Sequence, residues 1–158
     1  MRILHVVHQY VPDHVAGTEL YTQMVARAQA AAGHNVAIFT PLNRAGTFDG
    51  QAAPEEGVRV YRVPVGPRGG TTVFLSTFRQ PALAEALAAV LDAERPDVVH
   101  VQHLMGVPSA VGGALRGAGV PYVLALHDYW YGCANGQLLT NDTATLCAGP
   151  SPHFGNCG

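Results

Sequence analysis

Lysine is missing altogether: all nine cations among these 158 residues are arginine. Charged residues make up only 13% of the chain and the net charge is −2 with histidine neutral, so no basic surface recruits nucleic acid or an anionic membrane by bulk electrostatics. No apolar run approaches the roughly 20 residues that a membrane-crossing helix needs. The N-terminus has none of the basic flank, apolar stretch and small-residue cleavage site of a secretory leader, which makes a cytoplasmic location the expectation. Cysteine is scarce, three in all, too few for a disulfide-stapled scaffold. Gly-x-Gly-x-x-Gly and Gly-x-x-x-x-Gly-Lys-Ser/Thr are both absent, so neither a dinucleotide site nor a P-loop is indicated.

What is present is an alternation of apolar runs and helical periods. At 48% hydrophobic the chain can bury a sizeable core. Strands are expected to start near Arg2, Asn35, Val58, Asp97 and Pro121. A helix follows the first strand, opening at Thr18-Glu19-Leu20, carrying Leu20, Met24, Val25, Ala28 and Ala32 along one side and stopping at Gly33. A second opens at Pro81 with Leu83, Leu87, Val90 and Leu91 on one face and closes at Pro96; a shorter one runs from about Val107 to Ala118. Pro41 to Gly57 reads as a surface excursion, and Val58 to Val63 alternates like a half-exposed strand ended by a Gly/Pro-rich loop through Gly70. The fold class is therefore α/β, a Rossmann-like doubly wound parallel sheet with right-handed crossovers.

Three of the apolar runs end in polar chemistry. Arg2 to Val7 leads into His8, Asp97 to Val101 into Gln102-His103, and Val120 to Ala125 into Leu126-His127-Asp128-Tyr129-Trp130. An open parallel sheet binds ligands beyond the carboxyl ends of its strands, so His8, His103, His127 and Asp128 are candidate site residues expected at one edge. His5 and His100 lie inside their runs and suit a hydrogen-bonded core position as well as a ligand contact. Trp130 reads as local packing. Ala16-Gly17-Thr18-Glu19 begins a helix whose unpaired N–H groups form an anion site; the competing reading is a plain helix start with Thr18 as cap and Glu19 in the first turn.

The opening Arg2-Ile3-Leu4 strand, Ala16-Gly17-Thr18-Glu19, Gly33-His34-Asn35-Val36, Asp97-Val98-Val99-His100 and His127-Asp128-Tyr129-Trp130 occur in an order that resembles the N-terminal domain of a glycosyltransferase family 4 enzyme of GT-B architecture. The resemblance implies a glycosyltransferase of hexosyltransferase type, retaining, that moves a sugar from a nucleotide-sugar donor, UDP- or GDP-linked, to a carbohydrate or lipid-linked acceptor. Ala16, Gly17, Thr18 and Glu19 would approach the donor phosphates through their backbone, with Ala16 standing where the family usually has glycine. His127 would hydrogen-bond and position the transferring sugar, and His8, His103 and Asp128 would lie on the acceptor side. No cofactor is required, and no nucleic acid is a partner.

The same resemblance implies an organisation. Residues 1–132 would form the acceptor-side domain and residues 133–158 a Cys/Gly/Pro-rich excursion of it, cut short, with the C-terminal nucleotide-sugar domain missing as a partner in cis and these residues inactive alone. A lipid-linked acceptor would bring the protein to the inner face of the membrane. Cys133, Cys147 and Cys157 fall one ligand short of a structural zinc site, so zinc and three metal-free thiols both stay open. Two rival functions also stay open: a metal-dependent hydrolase built on His8, His103, His127 and Asp128, and a non-catalytic sugar-binding module.

Overall fold

Continuous β-branched runs such as Arg2–Val7 and Asn35–Leu42 suit strands covered on both faces, and they form the middle of the sheet. The computed structural model describes residues 1–66, 80–105, 110–133, 136–140, 145–149 and 151. Two compact units are present, Met1–Ala125 and Leu126–Gly158. The division thus falls before His127, and the composition change after Gly132 lies inside the second unit.

In the first unit the order is β1 (Arg2–Val7), α1 (Gly17–Ala31), β2 (Asn35–Leu42), β3 (Ala53–Glu55), β4 (Val58–Pro64), α2 (Pro81–Glu94), β5 (Val98–His103), α3 (Ala110–Ala118) and β6 (Tyr122–Leu124). The strands make one sheet ordered β3-β4-β2-β1-β5-β6. All pairings are parallel except β3 with β4. The five expected strands are all there and mutually parallel. The excursion after Pro41 is corrected in part: Pro41 and Leu42 continue β2, and Ala53–Glu55 adds an antiparallel edge. Three residues carry too little periodicity to announce a strand.

The sheet is covered by α2 and α3 on one face, where Leu4, Phe39, Leu83, Leu87, Val99 and Leu115 pack together, and by α1 on the other, over Val36, Ile38, Val58 and Val60. Helix α2 buries the face expected of it, and Pro81 sits in its first turn. Helix α1 does not. Its buried residues are Glu19, Thr22 and Ala26, whereas Leu20 and Met24 are 49% and 64% exposed. Small Thr22 and Ala26 let the helix lie close to the sheet, and a longer side chain there would hold it off. Gly33, at φ +86°, ends α1 as expected: its N–H reaches the Ala30 carbonyl and the His34 N–H reaches Gln29, the paired closure that needs a left-handed residue. Helix α3 begins at Ala110 among the described residues; the expected start near Val107 lies outside them, as does the loop at residues 67–70.

The last strand is open to solvent despite its apolar sequence. Tyr122, Val123 and Leu124 of β6 are each between 44% and 52% exposed, because β6 is an edge strand paired to β5 alone.

Candidate functional site

The chain runs β1, β2, β4 toward one side of the sheet and then crosses to β5 and β6 on the other side of β1. Connections leaving in opposite directions open a crevice at the carboxyl ends of β1 and β5, the place where open α/β sheets bind ligands. His8 follows β1 and His103 ends β5. Their rings lie 4.6 Å apart, centroid to centroid, so two of the predicted site residues do meet there. His103 is buried and its Nδ1 accepts the Met105 N–H at 3.1 Å, which leaves the proton of the neutral ring on Nε2.

The first turn of α1 reaches the same place. Ala16 is the N-cap and offers no side-chain acceptor, so Thr18 is not the cap; its carbonyl instead accepts the Thr22 hydroxyl at 2.7 Å. Glu19 turns inward, only 2% exposed, with one carboxylate oxygen 3.8 Å from His8 Nε2. Its other oxygen is buried without a hydrogen-bond partner. The Glu19 carboxylate is thus engaged with the histidine side of the crevice, and what α1 presents to an anion is the backbone N–H groups of Gly17, Thr18 and Glu19.

Behind the crevice lies a buried network in which His5 takes the hydrogen-bonded core position its run suggests, with partners that sequence reading did not name. His5 is fully buried; its Nε2–H donates to Gln29 Oε1 at 2.8 Å and its Nδ1 accepts from Gln102 Nε2 at 3.0 Å. Burial, the larger cause, and the nearby His100, whose ring lies 5.1 Å away, hold the His5 imidazole down at about 4, against the hydrogen bond it donates to Gln29, which pulls the other way. His5 is therefore a neutral core residue that ties β1 to α1 and β5. Gln102 sits next to His103 on β5, and the amide-imidazole-amide chain holds that strand against β1. Only the alternation within Val99-His100-Val101-Gln102 hints at it, since a glutamine in a strand more often faces water.

The loop between β1 and α1 is anchored from the far edge of the sheet. Arg62 of β4 holds Glu55 of β3, donates to the Val11 carbonyl at 2.6 Å, pairs with Asp13 at 3.2 Å and lies 5.9 Å over the Tyr10 ring. One guanidinium thus places the segment that leads into the helix start.

His127 and Asp128 belong to the second unit and open it. His127 is half-buried. Asp128 accepts the Trp130 N–H at 2.8 Å, a local turn that fixes the carboxylate. The backbone closes on itself just beyond: Tyr129 N–H to Gly136 carbonyl, Cys133 N–H to Tyr129 carbonyl and Gly136 N–H to Cys133 carbonyl. Cys133 and Cys147 are both half-buried, and Cys147 shares hydrogen bonds with Gly149. Cys157 lies outside the described residues. Among those residues no group of three or more His, Cys, Asp or Glu is arranged to hold a metal ion, and no helix is long and apolar enough to cross a membrane.

Comparison with known proteins completes the picture. The family model described as a glycosyl transferase 4-like domain matches residues 16–145. Among solved structures, sucrose-phosphate synthase from Thermosynechococcus elongatus superposes with a TM-score of 0.59 at 18% identity over 80% of this chain, a likeness of fold. The chain spans 33% of the length of that structure. No curated protein matches.

Proposed function

Since the chain belongs to the glycosyl transferase 4-like domain family, we propose that it is the acceptor-side half of a glycosyltransferase that moves a hexose from a UDP- or GDP-sugar to a carbohydrate or lipid-linked hydroxyl. The observation that carries the reading is the convergence at the switch point: the His8 and His103 rings in contact beside an α1 start whose N-cap has no side-chain acceptor. A helix N-terminus favours the negative charge of a diphosphate, and imidazoles exchange hydrogen bonds with sugar hydroxyls.

In this reading the N–H groups of Gly17, Thr18 and Glu19 meet the donor phosphates, with Ala16 allowing close approach. His127 hydrogen-bonds the transferring sugar and holds its anomeric carbon toward the incoming hydroxyl; His8, His103 and Asp128 hold the acceptor. Transfer breaks the bond from the anomeric carbon to the phosphate oxygen and forms one to the acceptor oxygen, whose proton leaves with the phosphate. Retention of configuration fits departure and attack on one face of the sugar. A second α/β domain in cis supplies the nucleotide pocket and closes the cleft, so residues 1–158 by themselves transfer no sugar. The reaction takes place on the cytoplasmic side, at the membrane surface if the acceptor is lipid-linked.

The test is sugar transfer by the full-length protein and its His127→Ala variant, followed with radiolabelled UDP- and GDP-hexoses. The variant is expected to lose about 100-fold in rate with its thermal midpoint unchanged. Full activity in a folded His127→Ala protein would overturn the assignment.

A further inference from the structure

The second unit contains a pocket of its own, about 190 Å³, lined by Leu126, Asp128, Tyr129, Tyr131, Gly132 and Leu138. We propose that this pocket binds a single neutral hexopyranose ring of the acceptor, a step that rests on the glycosyl-transfer reading and adds the chemical class of the ligand.

Size is the first argument. Clefts that take drug-sized ligands run to roughly 300–1,000 Å³, so this one admits about one six-membered ring. Lining chemistry is the second. Tyr129, Tyr131 and Leu126 are 58%, 41% and 68% exposed, an unusual density of open apolar surface for one turn of chain. The face of a tyrosine ring is electron-rich, and the C–H groups on one side of a pyranose carry partial positive charge, so sugar and ring stack. Asp128 supplies the polar half. One oxygen of its carboxylate accepts the Trp130 N–H, and a side chain added at Gly136, which stands at φ +73°, would come into van der Waals contact with the other oxygen. A carboxylate has several lone pairs beyond the one Trp130 occupies, and sugar hydroxyls are donors that make charge-assisted bonds with it.

The same charge repels the donor's diphosphate, which selects the neutral part of the reaction. A small cation would answer the charge and the aromatic faces but would leave the aliphatic wall of Leu126 and Leu138 unused. The walls are also preorganised: the backbone bonds among Tyr129, Cys133 and Gly136 close the turn, and Leu138 stands in the left-handed region at φ 56° with its carbonyl held by Cys147. Little ordering is left to oppose binding.

Trp130 is the chain's one tryptophan and packs edge-on against Tyr131, with ring centroids 5.2 Å apart, so its emission reports on this pocket. Residues 1–158 are titrated with methyl α-D-glucopyranoside and methyl α-D-mannopyranoside, with saturation-transfer NMR of the same samples in parallel. At least one glycoside is expected to bind saturably with a Kd of about 1–20 mM. Cyclohexanol and tetramethylammonium are expected to bind about tenfold more weakly or worse, Tyr129→Ala to weaken the sugar by about tenfold and Asp128→Asn by about fivefold. No saturable binding of either glycoside up to about 100 mM by both methods would overturn the proposal. So would equal affinity for cyclohexanol or for the cation, or an unchanged Kd in a folded Tyr129→Ala chain. None of these results touches the donor-dependent transfer assay on the full-length protein, which judges the broader reading separately.

Discussion

His5 shows how much a single buried side chain adds to the pH behaviour of the chain. Its imidazole stays neutral in the fold down to about 4, whereas in the unfolded chain it takes a proton near 6.5. Between those values the unfolded state holds more protons, so stability is intact above about pH 6.5 and falls as the pH drops, by about 3 kcal/mol in all. Glu94 acts in the same direction at lower pH, because the hydrogen bond from Arg59 holds its carboxyl below the ordinary carboxylate range and that stabilisation is lost on protonation. Urea midpoints taken across pH 4–7 should fall on the acid side, and His5→Gln, which keeps an amide in the network, should flatten the part of the decline above the Glu94 range. An equally steep decline in the variant would assign the acid sensitivity elsewhere. The charge state of His5 was not legible in the sequence: Arg2 to Val7 marks a strand, but nothing in it shows Gln29 and Gln102 closing on the ring from α1 and β5.

At the scale of elements, α1 separates pattern from packing. Leu20, Met24 and Ala28 look like the core stripe because they are the larger or more apolar residues, yet the face turned inward carries Glu19, Thr22 and Ala26. Hydropathy misleads here because the inward polar groups meet polar partners: Gln29 on His5 of β1 and Glu19 beside His8 just after that strand. Met24→Glu should therefore change stability by no more than about 0.5 kcal/mol. Ala26→Leu, forced between helix and sheet, should cost about 1–3 kcal/mol. Chemical denaturation of the two variants reads both values, and the reverse order would mean the helix lies on its other face. Helix α2 behaves as its spacing predicts, and Leu87→Ala should cost about 2–5 kcal/mol. The Arg62 anchor joins two other elements. Arg62→Lys keeps the charge but not the fork that reaches Glu55, Val11 and Asp13 together, so amide exchange in residues 9–16 should speed up well beyond that in β4.

For the whole molecule, the family and the sheet describe a glycosyltransferase domain, and the proposal that a second domain carries the donor predicts weak donor binding here. Calorimetric titration of residues 1–158 with UDP- and GDP-sugars should give dissociation constants no better than roughly millimolar. Micromolar binding would require a complete nucleotide site within these residues. Zinc is decided by metal analysis of the purified chain together with Cys147→Ser: a bound structural metal would make that change costly, whereas metal-free thiols make it nearly neutral.

Strand order along the chain and the helix starts and stops were written in local sequence, because β-branched runs, Gly33 at the end of α1 and Pro81 at the start of α2 act over a few residues. So was the placement of His8 and His103 at strand ends, which follows once the runs are parallel. Contacts between distant residues were decided only by the tertiary structure. The pairing of β5 with β1 brought His103 to His8, the approach of α1 turned Glu19 inward, and the closure of Tyr129 to Gly136 shaped the pocket of the second unit. Each depends on partners remote in sequence or on a turn whose polar residues carry no periodic signal, and local pattern holds no information about which partner arrives.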